Sequence, residues 1–215
     1  MITLYHSPRS RSVRPRWLLE EIGTPYDLVT LDLSTQEHKS AAHRQRHPHG
    51  QVPALVDGDL ALIESAAICL HLADTHPDAH LAPPLGTPER AHYYKWLVWC
   101  TNTLQAMLLH YFYPERMVAD GDAAAAAQVR VRAEAQVGRM LDVLDAQLAA
   151  HGADWLLGPA YSTADPFALM LCRWTRGMVR PARSLPHVGP YLQRMLARPA
   201  VQRAFATEKL AAPLV

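Results

Sequence analysis

The segment at residues 51–74, QVPALVDGDLALIESAAICLHLAD, contains the clearest information about the fold. Two short apolar runs are separated by Asp57-Gly58, a dipeptide that favours the tight turn of a β-hairpin. The residues ESAAICLHLAD that follow have the length and apolar spacing of a helix. A hairpin that continues directly into a helix predicts a sheet with a helix packed on one face.

The residues before this segment predict a βαβ unit. ITLY at 2–5 and LVTLDL at 28–33 have the composition of strands. Between them Trp17 and Ile22 lie near one helical face, and Gly23 supplies a helix stop. With the polar, His-rich segment 34–50, the predicted order over the first eighty residues is β-α-β-α-β-β-α, a small mixed sheet covered by helices.

The rest of the chain predicts an all-helical bundle. HPDAHLAPPLGTP at 76–88 contains four prolines and a glycine, which is typical of a linker. Beyond it apolar residues recur every three or four positions, and the segment 188–206 is divided into two helices by Pro199. We therefore predict an α/β domain at 1–77, a linker at 78–87 and an all-α domain at 88–215. The three long helical stripes contain Tyr93, Leu97, Cys100, Leu104, Met107 and Tyr111; Ala133, Val137, Met140, Leu144 and Leu148; and Phe167, Met170, Leu171, Trp174 and Met178.

Composition excludes several classes of protein. With 49% hydrophobic and 19% charged residues and a net charge of +1, the chain predicts neither a disordered protein nor a nucleic-acid binder. Cys69, Cys100 and Cys172 are odd in number and form no CxxC pair, which favours a reducing compartment over a disulfide scaffold. The sequence predicts no signal peptide and no membrane span, so we expect a cytoplasmic protein without membrane partners.

Two serines in SPRSRS, at 7–12, are candidate site residues because they join the first strand to the first helix. Ser10 and Ser12 lie where a hydroxyl either caps the helix or points into the cleft above the sheet. In the second role the hydroxyl would donate a hydrogen bond to a bound thiolate. Both interpretations are compatible with the residues alone.

The third strand opens with Gln51-Val52-Pro53-Ala54. Proline is common at the first residue of a strand, so this segment is compatible with a simple strand start. If the Val52-Pro53 bond is cis, the N–H and C=O of Val52 turn toward the cleft, where a peptide-like ligand can pair with them as an added strand.

Glu64-Ser65 opens the helix that follows the hairpin. Ser65 is a possible N-cap, but exposed N–H groups at a helix start also bind carboxylates. Glu64 would then accept hydrogen bonds from a neighbouring ammonium group. Together the two residues suit an amino-acid head group.

The segments LYHSPRSRS…WLLEEIGTPYDL, HPHGQVPALVDG, ESAAICLHLAD, LLGPAYSTADPFALMLCRW and LQRMLARPAVQRAF resemble the cytosolic glutathione S-transferases, particularly bacterial members. The resemblance covers nearly the whole chain. It implies a thioredoxin-like N-terminal domain, an all-α C-terminal domain that forms the electrophile pocket, and a homodimer. The implied activity is conjugation of glutathione, as co-substrate and without a metal, to small hydrophobic electrophiles in detoxification.

The resemblance also implies roles for individual residues. Ser10 becomes the hydroxyl that activates the thiol, with Ser12 as a near alternative. Val52, before the family's cis-proline at Pro53, would pair with the cysteinyl backbone of glutathione. Glu64 and Ser65 would hold the γ-glutamyl end, and His38 and Gln51 would contact the glycine carboxylate. Arg11 would contact an anionic group of the ligand. It is the nearest member of a basic cluster that contains Arg9, Arg11, Arg14 and Arg16.

Departures from the family pattern bear on the class. Arg11 and Gln105 stand where the beta class has a cysteine and a histidine, so mixed-disulfide chemistry through an enzyme cysteine is not expected. A related group has asparagine where this chain has Arg9. The resemblance implies a serine-type, beta- or theta-like enzyme, and these departures leave the class and the acting hydroxyl open between Ser10 and Ser12. An isomerase, a peroxidase, a dehalogenase and a non-catalytic binding or regulatory protein remain the alternatives on the same fold.

Three further features predict structure rather than chemistry. His38, His43, His47 and His49 have no carboxylate or cysteine that completes a ligand set, so we expect surface histidines and no metal. Ser162 and Asp165 have the spacing of a capping box. The outer edge of the sheet and the helices around Tyr93 and Tyr111 are expected to be partly uncovered in one subunit, which favours a homodimer.

Overall fold

The computed structural model describes residues 1–210 and 212–215, and these form two compact units. The first unit contains residues 1–82 and the C-terminal stretch that begins at Leu196. The second contains residues 83–195 together with the last residues, 212–215. The predicted fold class is confirmed: an α/β unit with a four-stranded mixed sheet and an all-helical unit.

The first unit has the predicted order of strands and helices. The sheet order is β2-β1-β3-β4, with β1 parallel to β2, β1 antiparallel to β3, and β3 antiparallel to β4. Its elements are β1 (Ile2–His6), α1 (Val13–Ile22), β2 (Tyr26–Thr30), α2 (Ala41–Arg44), β3 (Ala54–Asp57), β4 (Leu60–Ile63) and α3 (Ser65–Thr75).

The helix α1 forms where the apolar spacing predicts it. Trp17, Leu18 and Leu19 are fully buried, and Gly23 ends the helix with a φ of 75°, a left-handed conformation that glycine adopts without steric cost. The second strand is displaced from its predicted position. It begins at Tyr26 rather than Leu28 because its parallel register with β1 pairs Ile2 with Tyr26.

The helix α9 (Pro199–Thr207) belongs to the first unit, although the predicted limit of 88–215 assigns it to the second. The ring of Phe205 packs on Trp17 of α1 with centroids 5.2 Å apart. Arg198, just before α9, donates two hydrogen bonds to the Glu21 carboxylate at 2.9 and 2.7 Å. The C-terminal stretch therefore covers the outer face of α1.

The described residues of the second unit form helices joined by loops and no β-sheet, with one isolated β-bridge between Trp155 and Gly158. A π-helical segment at Trp99–Leu104 separates α4 and α5, so the first predicted stripe is interrupted rather than one continuous helix. The third predicted stripe is shorter than expected, because α7 ends at Trp174 and Met178 lies beyond it. The helices are α4 (Pro88–Val98), α5 (Gln105–Phe112), α6 (Ala123–His151), α7 (Ala164–Trp174) and α8 (Val188–Ala197). The last two residues of α8 belong to the first unit.

Asp165, in the first turn of α7, is the polar centre of the second unit. Its carboxylate accepts hydrogen bonds from the N–H of Ser162 at 2.8 Å and the N–H of Leu156 at 2.9 Å. The Tyr191 hydroxyl donates a third at 3.0 Å. The Ser162 hydroxyl accepts from the N–H of Ala164 at 3.3 Å. One arm of the predicted capping box is therefore present, from the Ser162 N–H to the Asp165 carboxylate, although the N-cap position is Thr163 and its side chain makes no capping hydrogen bond. The Asp165 carboxylate also ties α8 and the preceding turn to α7.

No helix in the part of the chain that the structure describes is both long enough and apolar enough to cross a membrane.

Candidate active site

The loop between β1 and α1 directs both candidate serines inward. Ser12 occupies the N-cap position of α1, yet its side chain makes no capping hydrogen bond. Its Oγ lies 2.6 Å from Ser10 Oγ and accepts from the N–H of Ser7 at 3.0 Å. Ser12 is fully buried, whereas Ser10 is half-buried. A capping role therefore does not explain the Ser12 hydroxyl, and of the two only Ser10 is partly accessible.

Two residues that sequence reasoning missed lie behind these serines. His6 Nδ1 is 2.9 Å from Ser12 Oγ, and His6 Nε2 is 2.8 Å from Glu208 Oε1. Glu208 also accepts hydrogen bonds from Arg16 Nη1 and from the N–H of Arg9, both at 2.8 Å. Burial raises the pKa of the Glu208 carboxyl, but hydrogen bonds from His6, Arg9 and Arg16 outweigh burial and lower it overall. Glu208 is therefore an ionised carboxylate in the interior.

The segment before β3 has backbone groups without hydrogen-bond partners among the described residues. The Val52-Pro53 peptide bond is cis. In the described part of the chain neither the N–H nor the C=O of Val52 has a hydrogen-bond partner. The preceding residue is held in place, because the Gln51 carbonyl lies 2.7 Å from His43 Nε2. The chain thus presents one unpaired donor and one unpaired acceptor beside the start of β3.

The start of α3 differs in detail from the sequence prediction. Ser65 is the first helical residue, and Glu64, not Ser65, holds the N-cap position. Glu64 has φ 69° and ψ 115°, a conformation that a non-glycine residue rarely adopts and that is concentrated at functional sites. Arg14, which the sequence analysis did not place near a ligand, is fully buried and its Nη1 donates to Ser65 Oγ at 3.4 Å. A buried cation therefore lies behind the N–H groups of this helix start.

These segments surround an open depression. It combines both signs of charge with the unpaired backbone of Val52, which suits a zwitterionic, peptide-like ligand. Ser10, Ser12 and His38 do not line it. The lining residues are Arg11, His47, Gln51, Val52, Pro53, Glu64 and Ser65.

The expectation that the four histidines lie on the surface is wrong for two of them. His43 and His47 are 3% and 4% exposed, because α2 packs them against the segment before β3. Burial, and then His43 and His49, lower the pKa of His47, so this ring is neutral around pH 7. His47 is a lining residue that the sequence predicted only as a surface histidine.

His38 is half-buried and lies near the same loop. Its carbonyl oxygen is only 2.7 Å from the position that a Cβ on Gly50 would occupy, and Gly50 has a φ of 54°. Only glycine fits this close approach, which holds the His38 segment against the chain that leads to Gln51. Burial is the main cause that lowers the pKa of the His38 ring, followed by the charge of Lys39.

The cysteines take no part in the depression. Cys69, Cys100 and Cys172 are buried and free of disulfide bonds. Burial raises the pKa of the Cys69 and Cys172 thiols far above the usual range, so neither ionises at neutral pH.

Comparison with known proteins identifies the family. Residues 1–74 match the family model described as glutathione S-transferase, N-terminal domain, and residues 99–199 match its C-terminal domain. The chain is 32% identical to glutathione S-transferase 3 of Zea mays over 99% of this chain and 96% of that protein. It is 28% identical to glutathione S-transferase GstA of Escherichia coli O157:H7, over 96% of this chain and 98% of that one.

A solved sphingomonad glutathione S-transferase, complexed with glutathione, has a TM-score of 0.82 and 28% identity, with 97% of this chain and 100% of that chain covered. The chain belongs to the glutathione S-transferase family, and it is a glutathione transferase. The resemblance to the family is thereby confirmed. The thioredoxin-like character of the first unit is confirmed with it.

Proposed function

We propose that the enzyme transfers the glutathione thiolate to small hydrophobic electrophiles, and that glutathione lies in the depression beside β3 and α3. The observation that carries this proposal is the convergence, in one depression, of a free backbone donor and acceptor at Val52, a helix start at Ser65 and the Glu64 carboxylate. Glutathione is a tripeptide with an amino-acid head group, an amide backbone and a second carboxylate. Each of these parts has a chemical complement there.

The γ-glutamyl end is assigned to Glu64 and Ser65. The first N–H groups of α3 have no acceptor within the helix, and the Ser65 hydroxyl adds a donor for a carboxylate. The buried Arg14 guanidinium behind Ser65 increases the positive potential at this point. The Glu64 carboxylate is exposed and accepts from the ammonium group.

The rest of glutathione extends along the strand edge. The cysteinyl N–H and C=O pair with Val52, which precedes Pro53. The glycine carboxylate is assigned to Gln51 and Arg11, with His47 as an added candidate because it lines the same depression. His38 does not line it, so we expect a smaller contribution from His38 than from Gln51.

Ser10 is assigned to the thiolate. A thiol with a pKa near ~8.5 is only a few per cent ionised at pH 7, and lowering that pKa by ~2 units requires about 2.7 kcal/mol. A helix start supplies ~0.3–1 kcal/mol and a hydrogen bond to a charged group ~1.5–3 kcal/mol, so the two together suffice. Ser10 is half-buried and Ser12 is fully buried, which favours Ser10 as the hydroxyl that meets the sulfur. This assignment makes the enzyme a serine-type member, beta- or theta-like.

Replacing Ser65 with alanine is expected to weaken glutathione binding by ~1–3 kcal/mol, because a charged acceptor loses a donor. Isothermal titration calorimetry measures the affinity. Ser184→Ala, which removes an exposed hydroxyl of the other unit, is the matched control and is expected to bind normally. An affinity of Ser65→Ala equal to that of the control would contradict the assignment of the γ-glutamyl end.

The reaction type is tested with a panel of aryl halides, epoxides, enones, isomerisable ketoacids, alkyl halides and peroxides. We expect conjugation of aromatic or small apolar electrophiles, in keeping with a detoxifying role in the cytoplasm. Faster turnover with peroxides, with isomerisable substrates or by dehalogenation would favour one of the alternative enzymes on this fold. Glutathione binding without turnover of any substrate would favour a regulatory role.

The enzyme is also expected to be a homodimer. Tyr93 and Tyr111 are themselves buried, but Tyr94, Val98 and Phe112 on the same helices are each 40% or more exposed. Pairing two copies is the commonest way to cover such a surface. Light scattering at micromolar concentration should give about twice 23.9 kDa. A fully active monomer would be evidence against the dimer.

A further inference from the structure

A series of buried polar contacts connects Glu208 to the hydroxyl that is assigned to the thiolate. Glu208 Oε1 lies 2.8 Å from His6 Nε2, and Nδ1 of the same ring lies 2.9 Å from Ser12 Oγ. Ser12 Oγ lies 2.6 Å from Ser10 Oγ. His6, Ser12 and Glu208 are at most 3% exposed, whereas Ser10 is half-buried. The series therefore begins at an accessible hydroxyl and ends at a carboxylate in the interior.

The loop backbone accounts for part of this arrangement, because Ser10 Oγ and Ser12 Oγ lie 2.7 and 3.1 Å from the Ser7 carbonyl oxygen. It does not account for the contact between Ser12 and His6. Ser12 holds the N-cap position, but its hydroxyl is within hydrogen-bond distance of His6 rather than of the first turn of α1. Arg16 alone is a sufficient partner for a buried Glu208, since its Nη1 donates to Oε1 at 2.8 Å. An imidazole held between a hydroxyl and a carboxylate is, however, the arrangement by which proteins remove a proton from a hydroxyl or thiol.

We propose that His6 accepts the thiol proton of glutathione through Ser10 and Ser12, and that Glu208 is the positioning residue for the His6 ring. This inference rests on the proposed function, because it requires the glutathione sulfur to lie against Ser10. It extends that function by adding the group that holds the proton. Ser10 remains the only residue of the series that contacts the substrate.

The proton transfer balances without any further reagent. The S–H bond breaks and its electron pair stays on sulfur, while the proton binds Ser10 Oγ. The original Ser10 proton passes to Ser12 Oγ, and the original Ser12 proton binds the lone pair of His6 Nδ1. A neutral thiol and a neutral imidazole become a thiolate and an imidazolium. The Ser10 O–H is left pointing at the sulfur anion, which it stabilises. After the thioether forms, the proton returns along the same hydroxyls to water.

The charges beside His6 suit this role. The charged groups packed on this side of the ring are Glu208, which follows α9, and Arg16 of α1. When the ring is neutral, the carboxylate balances Arg16. When the ring takes a proton at Nδ1, the carboxylate faces two cations, the His6 imidazolium and the Arg16 guanidinium. The N–H of Arg9, which donates to Oε2 at 2.8 Å, fixes the carboxylate in this position.

The direct test counts protons. On mixing with glutathione at about pH 7.5 in weak buffer, thiolate is measured by ultraviolet absorbance and released protons by an indicator dye. S-methylglutathione, which has no thiol, supplies the background. We expect the wild-type enzyme to release far less than one proton per thiolate, because His6 retains it. His6→Gln should release about one proton for each thiolate that still forms. A wild-type release of one proton per thiolate would overturn the proposal, whether or not His6→Gln folds.

A second test uses two matched carboxylates. Glu208→Gln keeps the shape of the side chain but removes its charge, and we expect the pH midpoint of thiolate formation to rise by about one unit. Glu21→Gln is the control, because Glu21 also joins α1 to the C-terminal stretch through an arginine but does not contact His6. Equal midpoints in the two variants would show that Glu208 acts only in folding and would refute the positioning role.

These outcomes are separable from failure of the proposed function. If the wild-type enzyme forms no thiolate and binds no glutathione, the proposed function fails. The proposed proton relay, from the thiol through Ser10 and Ser12 to His6, then fails with it. If thiolate forms and depends on Ser10 but every proton is released to solvent, the relay alone is wrong.

Discussion

Replacing Asp165 with alanine is expected to lower the free energy of unfolding of the helical unit by about 3–5 kcal/mol, because several buried neutral donors lose their acceptor at about 1–3 kcal/mol each. The variant leaves the N–H groups of Leu156 and Ser162 and the hydroxyl of Tyr191 without their acceptor. All three of these groups are buried, so water cannot replace the lost acceptor. Urea unfolding followed by circular dichroism measures the loss.

The control for Asp165→Ala is Asp142→Ala. Asp142 pairs with Arg180 on the surface, where both side chains are about half exposed, and surface ion pairs contribute little to stability. We expect no resolvable change in the unfolding midpoint of this control. Similar losses in the two variants would contradict the central role assigned to Asp165.

The pH dependence of the same variants gives an independent check. Burial, opposed by hydrogen bonds from Leu156 and Ser162, raises the pKa of Asp165 to about 6. The folded state therefore holds this proton more tightly than the unfolded state, whose aspartate has a pKa near ~3.9. The contribution to stability is complete below about pH 4 and is lost as the pH rises through about 6. Asp165→Asn, which cannot titrate, should be less stable but lack this loss.

Ser10→Ala is expected to reduce turnover at neutral pH by about 10- to 150-fold, which corresponds to the ~1.5–3 kcal/mol of a hydrogen bond to a charged group. The thiolate loses its donor, so the thiol of bound glutathione ionises at higher pH. Activity should then recover as the pH rises toward ~9, where the thiol ionises unaided. The kcat of wild-type and variant enzymes across pH 6–10 measures this effect.

Ser12→Ala is the comparison for this prediction. If only Ser12→Ala shows the loss and the alkaline recovery, the hydroxyl that contacts sulfur is Ser12. If neither variant shows them, the thiolate is stabilised by backbone N–H groups or by Arg11. If both variants show the loss and the alkaline recovery, Ser12 acts through Ser10, as the proton relay to His6 requires.

Local sequence patterns predicted the elements whose stabilising contacts lie close together in the chain. The hairpin followed from Asp57-Gly58, and α1 followed from its apolar face and from Gly23, because turn type and helix termination depend on a few adjacent residues. The start of β2 was wrong by two residues because strand register is set by the partner strand. Periodicity alone contains no information about that partner.

The site was predictable where a motif is local and not where distant segments meet. Glu64-Ser65 and Val52-Pro53 were identified because each lies at an element boundary. Glu208 was missed because its partner His6 is about two hundred positions away, and no local pattern marks a carboxylate whose neighbours belong to the first strand. The burial of His43 and His47 was missed because α2 is only four residues long. A helix this short shows no apolar periodicity in the sequence.

The membership of α9 in the first unit has a consequence for biosynthesis. Chains generally fold from the N-terminus as they are synthesised. Here residues 1–82 emerge from the ribosome without the helix that covers Trp17 and without the carboxylate that binds Arg16. Residues 83–195, most of the second unit, are translated before both arrive. The loop that carries Ser10 and Ser12 therefore lacks its contact with Glu208 through most of translation, and this contact forms only when residues 196–210 dock.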